Sequence, residues 1–107
     1  MERSEPRTIE LKEHPGPFEE LVRGLRDFEI RANDREYRFG YRLVIREWLP
    51  TTQAYSGRAV VRFVKLVVNA KSYGGMFEGA IAPDFVVLGL REKLAPSQAL
   101  ELPAVRR

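Results

Sequence analysis

The chain has 107 residues, which is enough for one domain with a single hydrophobic core. Apolar residues make up 44% of it, which argues against a disordered chain. Cysteine is absent, which excludes a disulfide scaffold, a thiolate metal site and a cysteine nucleophile. The formal net charge of +3 and the pI of about 9.5 favour an anionic partner such as RNA, although a GC-rich genome alone also produces an excess of arginine.

The first predicted elements are a short strand and a helix. Residues 8–12 alternate between polar and apolar, so Ile9 and Leu11 should face inward. Two prolines end this strand, and proline suits a first helical turn. Apolar side chains at helical spacing then predict a helix over 17–23. Gly24 is its predicted end, because glycine accepts the left-handed geometry that follows a helix.

Four further strands are predicted where short apolar runs alternate with turn residues. They lie at 27–31, 42–48, 58–68 and 85–91. The alternation in the third of these slips near Lys65, which indicates a bulge, and Tyr55, Ser56 and Gly57 should form the loop before it. The order of strand, helix and four strands predicts a mostly β (α+β) domain, a small barrel of about five strands with one flanking helix.

The predicted core takes the inward-facing apolar side chains of these elements. They are Phe18, Leu21, Phe28, Ile30, Leu43, Ile45, Val61, Phe63, Val86 and Leu88. The domain should span 8–92, between an N-terminal tail at 1–7 and a C-terminal tail or short docking segment at 93–107. The charged start is unlike a signal peptide, and no apolar run is long enough to span a bilayer, so we expect a soluble, cytoplasmic protein with no membrane partner.

The most informative stretch runs from Gly24 to Arg31. Glu29 and Arg31 lie two residues apart on a predicted strand and so share a face, with Arg26 at the start of that strand. Arginine offers a fork of donors that suits phosphate and base edges, and glutamate accepts hydrogen bonds from exocyclic amines. On the residues alone, a salt-bridged solvent face is the commoner explanation of the same pattern.

This stretch resembles the Gly-x-Lys-x-x-Glu-x-Arg motif of ASCH domains, a PUA-like family linked to RNA. The resemblance covers roughly residues 8–92. Within the family, the chain is similar to a group of unknown function that is frequent in bacteria and phages. Further segments follow in the same order, including Glu10–Lys12, Arg46–Trp48 and Tyr55–Arg58. The resemblance implies a PUA-like barrel and a cleft between helix and barrel that binds RNA or a nucleotide. The residues that we expect at this cleft and its rim are Lys12, Arg26, Glu29, Arg31, Asn33 and Arg35.

Aromatic side chains are interleaved with arginines in the middle of the chain. RNA-binding surfaces use this mixture to stack bases and hold phosphates. Strand alternation must bury about half of these rings, so we expect Tyr55 and Tyr73, in predicted loops, to be the exposed ones. Tyr55 and Arg58 complete the predicted ligand-binding set.

A departure from the ASCH pattern bears on catalysis. Some ASCH proteins resemble small amidohydrolases that remove an acetyl group from modified cytidine, using the motif lysine and a threonine at the position of Glu29. Here Arg26 replaces that lysine, and an arginine is almost never deprotonated, so it cannot act as a general base. We therefore predict a binding domain without catalytic residues. The alternatives are a hydrolase or nuclease acting on RNA or a modified nucleoside, and a protein-interaction module without nucleic acid.

His14 is the only histidine, and its place between a strand and a helix fits a capping or turn role better than acid–base chemistry. One histidine excludes a histidine-rich metal site, and the acidic residues show no ligand spacing. We predict no metal and no cofactor.

Overall fold

The computed structural model describes residues 7–93, and the predicted segments at 1–7 and 93–107 lie outside this range apart from their inner ends. Its elements are β1 (Thr8–Glu13), α1 (Pro15–Val22), β2 (Phe28–Ala32), β3 (Arg42–Leu49), β4 (Ala54–Val68), α2 (Ser72–Gly75) and β5 (Phe85–Arg91). The mostly β class and the five predicted strands are confirmed. Helix α1 begins two residues earlier than predicted, and Gly24 follows its end with the expected positive φ of 74°. Within residues 7–93, no helix has the length and apolar character needed to span a membrane.

The five strands form one mixed sheet in the order β1-β3-β4-β5-β2. Strand β1 runs parallel to β3, and the other neighbours are antiparallel. In the described part of the chain β1 and β2 both remain edge strands, so the sheet is open and the predicted closed barrel is not confirmed. Helix α1 leads from β1 to the opposite edge and packs against β3.

Strand β4 confirms one prediction and corrects another. Its pairing with β5 shifts between Val64 and Leu66, where the bulge near Lys65 was predicted. The loop predicted at Tyr55, however, is wrong, because β4 begins at Ala54 and Tyr55 pairs with Trp48 of β3. Gly57, with φ of 99°, lies where this pairing is irregular, so the strand continues through a bulge that reads as a turn in the sequence.

The core lies on the face of the sheet that α1 covers. Six of the ten predicted core residues are buried there: Phe18, Leu21, Leu43, Ile45, Val86 and Leu88. Phe63 is half-buried. Ile9 and Leu11 of β1 are also buried, as their alternation predicted.

Three core predictions are wrong: Phe28, Ile30 and Val61 are 41%, 59% and 40% exposed. Strand β4 turns Val60 rather than Val61 toward the core. Strand β2 turns Glu29 inward, since its inner face meets the end of β1 and the start of α1 and is filled by ion pairs rather than by apolar side chains. The two faces of β2 are therefore exchanged relative to the prediction, with Glu29 buried and Phe28 and Ile30 exposed. The residues of the cleft follow from the side chains that the structure brings together.

Candidate functional site

Four charged side chains meet where β1, α1 and β2 converge. Glu13 ends β1, Glu29 and Arg31 lie on the inner face of β2, and Arg26 lies just before that strand. We call these four residues the ionic cluster. Glu29 is 2% exposed, so the cluster extends into the interior of the domain. A buried carboxylate needs cationic partners, because an isolated buried charge is strongly penalised.

Arg31 connects the two edge strands of the sheet. Its Nε donates to Glu29 Oε1 at 3.0 Å, and its Nη2 donates to Glu13 Oε1 at 2.6 Å and to the Lys12 carbonyl at 2.8 Å. No hydrogen bond between described residues uses its Nη1. Arg31 therefore holds both carboxylates, and its Nη1 has no hydrogen-bond partner among the described residues.

Arg26 uses its guanidinium inside the protein. It donates to the carbonyls of Phe28 at 2.6 Å and Pro17 at 2.7 Å, and to the carboxylates of Glu20 at 3.0 Å and Glu29 at 3.3 Å. The left-handed turn at Gly24 lets the chain reverse between α1 and β2 and places Arg26 between them. Arg26 thus ties the helix to the strand and orients Glu29.

The two carboxylates of the ionic cluster lie close together, and the negative charge of Glu29 acts on Glu13. Burial, followed by the negative charge of Glu29 and a hydrogen bond to it, raises the pKa of Glu13 to about 7, although Arg31 and Arg26 act in the opposite direction. Burial alone would lower the pKa of the Arg31 guanidinium, but Glu29 and Glu13 outweigh it and raise that pKa. Glu13 is therefore partly protonated near neutral pH, while Arg31 stays charged.

A cleft of about 360 Å³ opens beside the ionic cluster. It is lined by Lys12, Glu13, His14, Pro17, Glu29, Ile30, Arg31, Ala32 and Phe85. Three of the predicted ligand-binding residues, Lys12, Glu29 and Arg31, are thus brought together on its wall. Arg26 is not part of the lining and stands behind Glu29.

Lys12 is exposed at the mouth of this cleft. No carboxylate of the described residues lies within ion-pair distance of its ammonium group. Its Nζ lies 4.1 Å from the centre of the Trp48 ring instead. Lys12 therefore adds a positive charge that no partner within 7–93 neutralises.

The other predicted residues lie outside the cleft. Asn33 lines a separate cavity of about 410 Å³ with Asn69 and Lys71. Arg35 reaches across to the Glu10 carbonyl of β1 at 3.5 Å. The expected rim of Asn33 and Arg35 is therefore divided, because the chain turns away from the cleft directly after β2.

Tyr55 and Arg58 lie on opposite faces of β4. Tyr55 is exposed, as predicted, and packs against Trp48 on the outer face. Arg58 pairs with Glu19 of α1 at 3.2 Å and lies 3.7 Å from Glu47. Neither residue reaches the cleft. Tyr73 is exposed as well, in α2.

Sequence reasoning missed Glu13 and gave little weight to His14. The signal for Glu13 was present, since it continues the inward alternation of Ile9 and Leu11 to the end of β1. His14 occupies the N-cap position of α1, in agreement with the predicted place between strand and helix, but its side chain makes no capping hydrogen bond. It lines the cleft instead. Both residues lie outside the Gly24–Arg31 stretch on which the predicted cleft depended.

The cleft offers cationic donors and two neighbouring carboxylates, Glu13 and Glu29. Its lining contains no serine or threonine hydroxyl. Among the residues that the structure describes, no cluster of three or more histidine, aspartate or glutamate side chains is arranged to hold a metal ion. The arrangement suits recognition of an anion with donor groups, together with proton exchange at Glu13.

Comparison with known proteins gives a family but no activity. No curated protein matches the chain. Residues 8–90, which include every side chain of the ionic cluster and of the cleft lining, match the family model described as a domain of unknown function, DUF3850. The chain therefore belongs to the DUF3850 family.

Proposed function

We propose that this domain binds RNA or a nucleotide in the cleft between β1, α1 and β2, without catalysis. The observation that carries the proposal is the pair of cations on the cleft wall, Arg31 with an unused Nη1 and Lys12 without a carboxylate partner among the described residues. Guanidinium and ammonium groups both bind phosphate, the first as a fork of donors and the second as a point charge. Glu13, the more exposed of the two carboxylates, supplies an acceptor for an exocyclic amine of a base.

The ASCH resemblance supports the same proposal. Its motif falls on Gly24, which forms the turn after α1, and on Arg26, Glu29 and Arg31, three of the four members of the ionic cluster. We further propose that the open sheet corresponds to a PUA-like barrel. In support, Arg31 and Arg35 donate to the carbonyls of Lys12 and Glu10 and so span the gap between β2 and β1 with side chains. A cysteine-free chain fits a reducing cytoplasm, which we propose as its compartment.

The proposal is tested by the salt dependence of RNA binding. Affinity for a short RNA is measured by titration between about 50 mM and about 200 mM salt, where phosphate contacts weaken most visibly. Lys12→Gln should lower the affinity and reduce the slope of log K against log salt by about one, the loss of one phosphate contact. Arg38→Gln, at an exposed arginine outside the cleft, is the matched control and should leave the slope near that of the wild type. A wild-type protein without salt-dependent binding would favour the protein-interaction alternative.

A second candidate function is favoured by Glu13. A carboxyl group on the wall of a cleft with a pKa of about 7 can donate or accept a proton near neutral pH, as general acid–base catalysis requires. The second candidate is therefore hydrolysis of RNA or a modified nucleoside by an activated water. Turnover of such a substrate by the wild type, lost in Glu13→Gln while binding persists, would establish it.

A further inference from the structure

The outer face of the sheet carries an aromatic and basic surface next to the cleft. Strands β1, β3 and β4 present Lys12, Arg46, Trp48 and Tyr55 on this face, and we call these four residues the stacking face. Lys12 pairs in register with Arg46, and Trp48 pairs with Tyr55. Adjacent strands lie about 4.8 Å apart, so the surface extends roughly 10 Å across three strands.

The side chains of the stacking face contact one another in the order cation, ring, ring, cation: Lys12, Trp48, Tyr55 and Arg46. The Trp48 and Tyr55 ring centres lie 5.0 Å apart at an interplanar angle of 78°. Lys12 Nζ lies 4.1 Å from the Trp48 ring centre, and Arg46 Cζ lies 4.5 Å from that of Tyr55. Tyr55 is exposed and Trp48 half-buried. Rings and guanidinium planes held in this way offer flat surfaces to an unpaired base and charges to its phosphates.

We propose that the ligand of this domain is single-stranded RNA, with one phosphate in the cleft and neighbouring bases on the stacking face. This inference rests on the proposed function of the cleft. Lys12 connects the two regions, because it lines the cleft and also covers the Trp48 ring. A strand that leaves the cleft past Lys12 therefore passes directly over Trp48 and Tyr55.

The geometry selects against two other nucleic-acid ligands. A mononucleotide has one base and cannot fill the cleft and cover the stacking face together. An A-form duplex keeps its base faces stacked internally, so it cannot offer them to Trp48 or Tyr55. Stacking on protein rings accepts any base, so we expect weak sequence preference.

The sole tryptophan of the chain makes the proposal directly measurable. Emission from Trp48 is followed while oligouridine of about eight nucleotides, within the site sizes of single-strand binders, is added to the full chain. We expect saturable quenching by the oligomer, little quenching by uridine monophosphate, and none by a duplex of equal length. A DNA strand of the same length that binds more tightly than the RNA would overturn RNA as the ligand.

Variants separate stacking from charge and from folding. Tyr55→Ala should lower affinity for the oligomer about tenfold, as expected for loss of one stacked base, while Tyr55→Phe should retain it. Tyr73→Ala removes a still more exposed ring in α2, away from the stacking face, and should leave affinity unchanged.

Two results would contradict the inference in different ways. In the first, the oligomer binds with salt dependence, but Trp48 emission does not change and Tyr55→Ala binds as tightly as the wild type. The cleft function then stands, and the aromatic contacts of the stacking face only stabilise the β3–β4 hairpin. If neither the oligomer nor the mononucleotide binds, the proposed function fails, and the stacking proposal fails with it.

Discussion

Arg31 of β2 donates to Glu13 of β1 at 2.6 Å, and this ion pair joins two edge strands that are not neighbours in the sheet. The same Nη2 nitrogen also donates to the Lys12 carbonyl at 2.8 Å. The gap in the sheet is therefore spanned by side chains rather than by a backbone ladder. Because Arg31 also lines the cleft, it contributes both to the connection between β1 and β2 and to the candidate site.

Replacing Arg31 is expected to damage stability and binding together. Arg31→Ala leaves Glu13 and Glu29 without a main cationic partner, and breaking a buried ion pair in this way costs about 3 kcal/mol. It also removes a cleft donor, with an expected loss of about 1–3 kcal/mol in RNA affinity. Denaturant unfolding and RNA titration at two salt concentrations measure both effects.

Arg38→Ala is the control for this prediction, because Arg38 is exposed and does not line the cleft. It should cost little stability and weaken binding only through general electrostatics. Equal and small effects of both substitutions would mean that residues 24–31 are only a charged face, and the cleft hypothesis would have to be abandoned.

The sequence predicted strand positions well because local signals determine them. Alternation of polar and apolar residues located β1, and an interruption of the alternation in β4 located the bulge near Lys65. Gly24 marked the turn after α1. Closure of the sheet was not predictable in this way. It depends on how β1 and β2 approach each other across many intervening residues, which no local pattern encodes.

The orientation of β2 shows where a hydrophobic pattern fails. Phe28 and Ile30 favour an inward apolar face, yet the strand buries Glu29 instead. Its cationic partners are Arg26 and Arg31, and both arginines are held by groups of other elements, the Pro17 carbonyl of α1 and Glu13 of β1. The arrangement that compensates the buried carboxylate therefore appears only in three dimensions. The resemblance to the ASCH motif marked these residues as a group but not the face they occupy.

Arg26→Lys separates support of the site from ligand contact. Lysine cannot reproduce the fork that reaches the carbonyls of Phe28 and Pro17, so the free energy of unfolding should fall by about 2 kcal/mol. RNA affinity, measured well below the melting temperature, should stay near that of the wild type because Arg26 does not line the cleft. An affinity loss as large as that of Arg31→Ala, in a folded protein, would show instead that Arg26 contacts the ligand.

We expect no release of acetate from acetylated cytidine. An arginine is almost never deprotonated, and Glu29 is held by Arg26 and Arg31, so neither Arg26 nor Glu29 can act as the base or nucleophile of an amidohydrolase. Incubation of the protein with the nucleoside, followed by chromatography of the products, measures this. Clear turnover that disappears in Arg26→Ala would place the enzyme hypothesis first.

The raised pKa of Glu13 predicts how stability depends on pH. In the unfolded chain this carboxyl titrates near 4.5, and in the folded protein burial and Glu29 raise its pKa to about 7. Between these values the folded state binds more protons than the unfolded state, so the contribution of Glu13 to stability falls as the pH rises from about 4.5 to about 7 and is level above.

Glu13→Gln removes this titration and keeps a neutral group that can still accept a hydrogen bond from Arg31. The stability of the variant relative to the wild type should be greatest at about pH 8, where Glu13 of the wild type is charged. This difference should disappear toward about pH 5, where Glu13 of the folded wild type is protonated and neutral like glutamine. Melting temperatures across this range measure the difference. Glu10→Gln, at an exposed carboxylate on the outer face of β1, is the control and should shift the melting temperature little. A constant difference between Glu13→Gln and the wild type at every pH would show that Glu13 keeps an ordinary pKa and does not exchange a proton near neutrality.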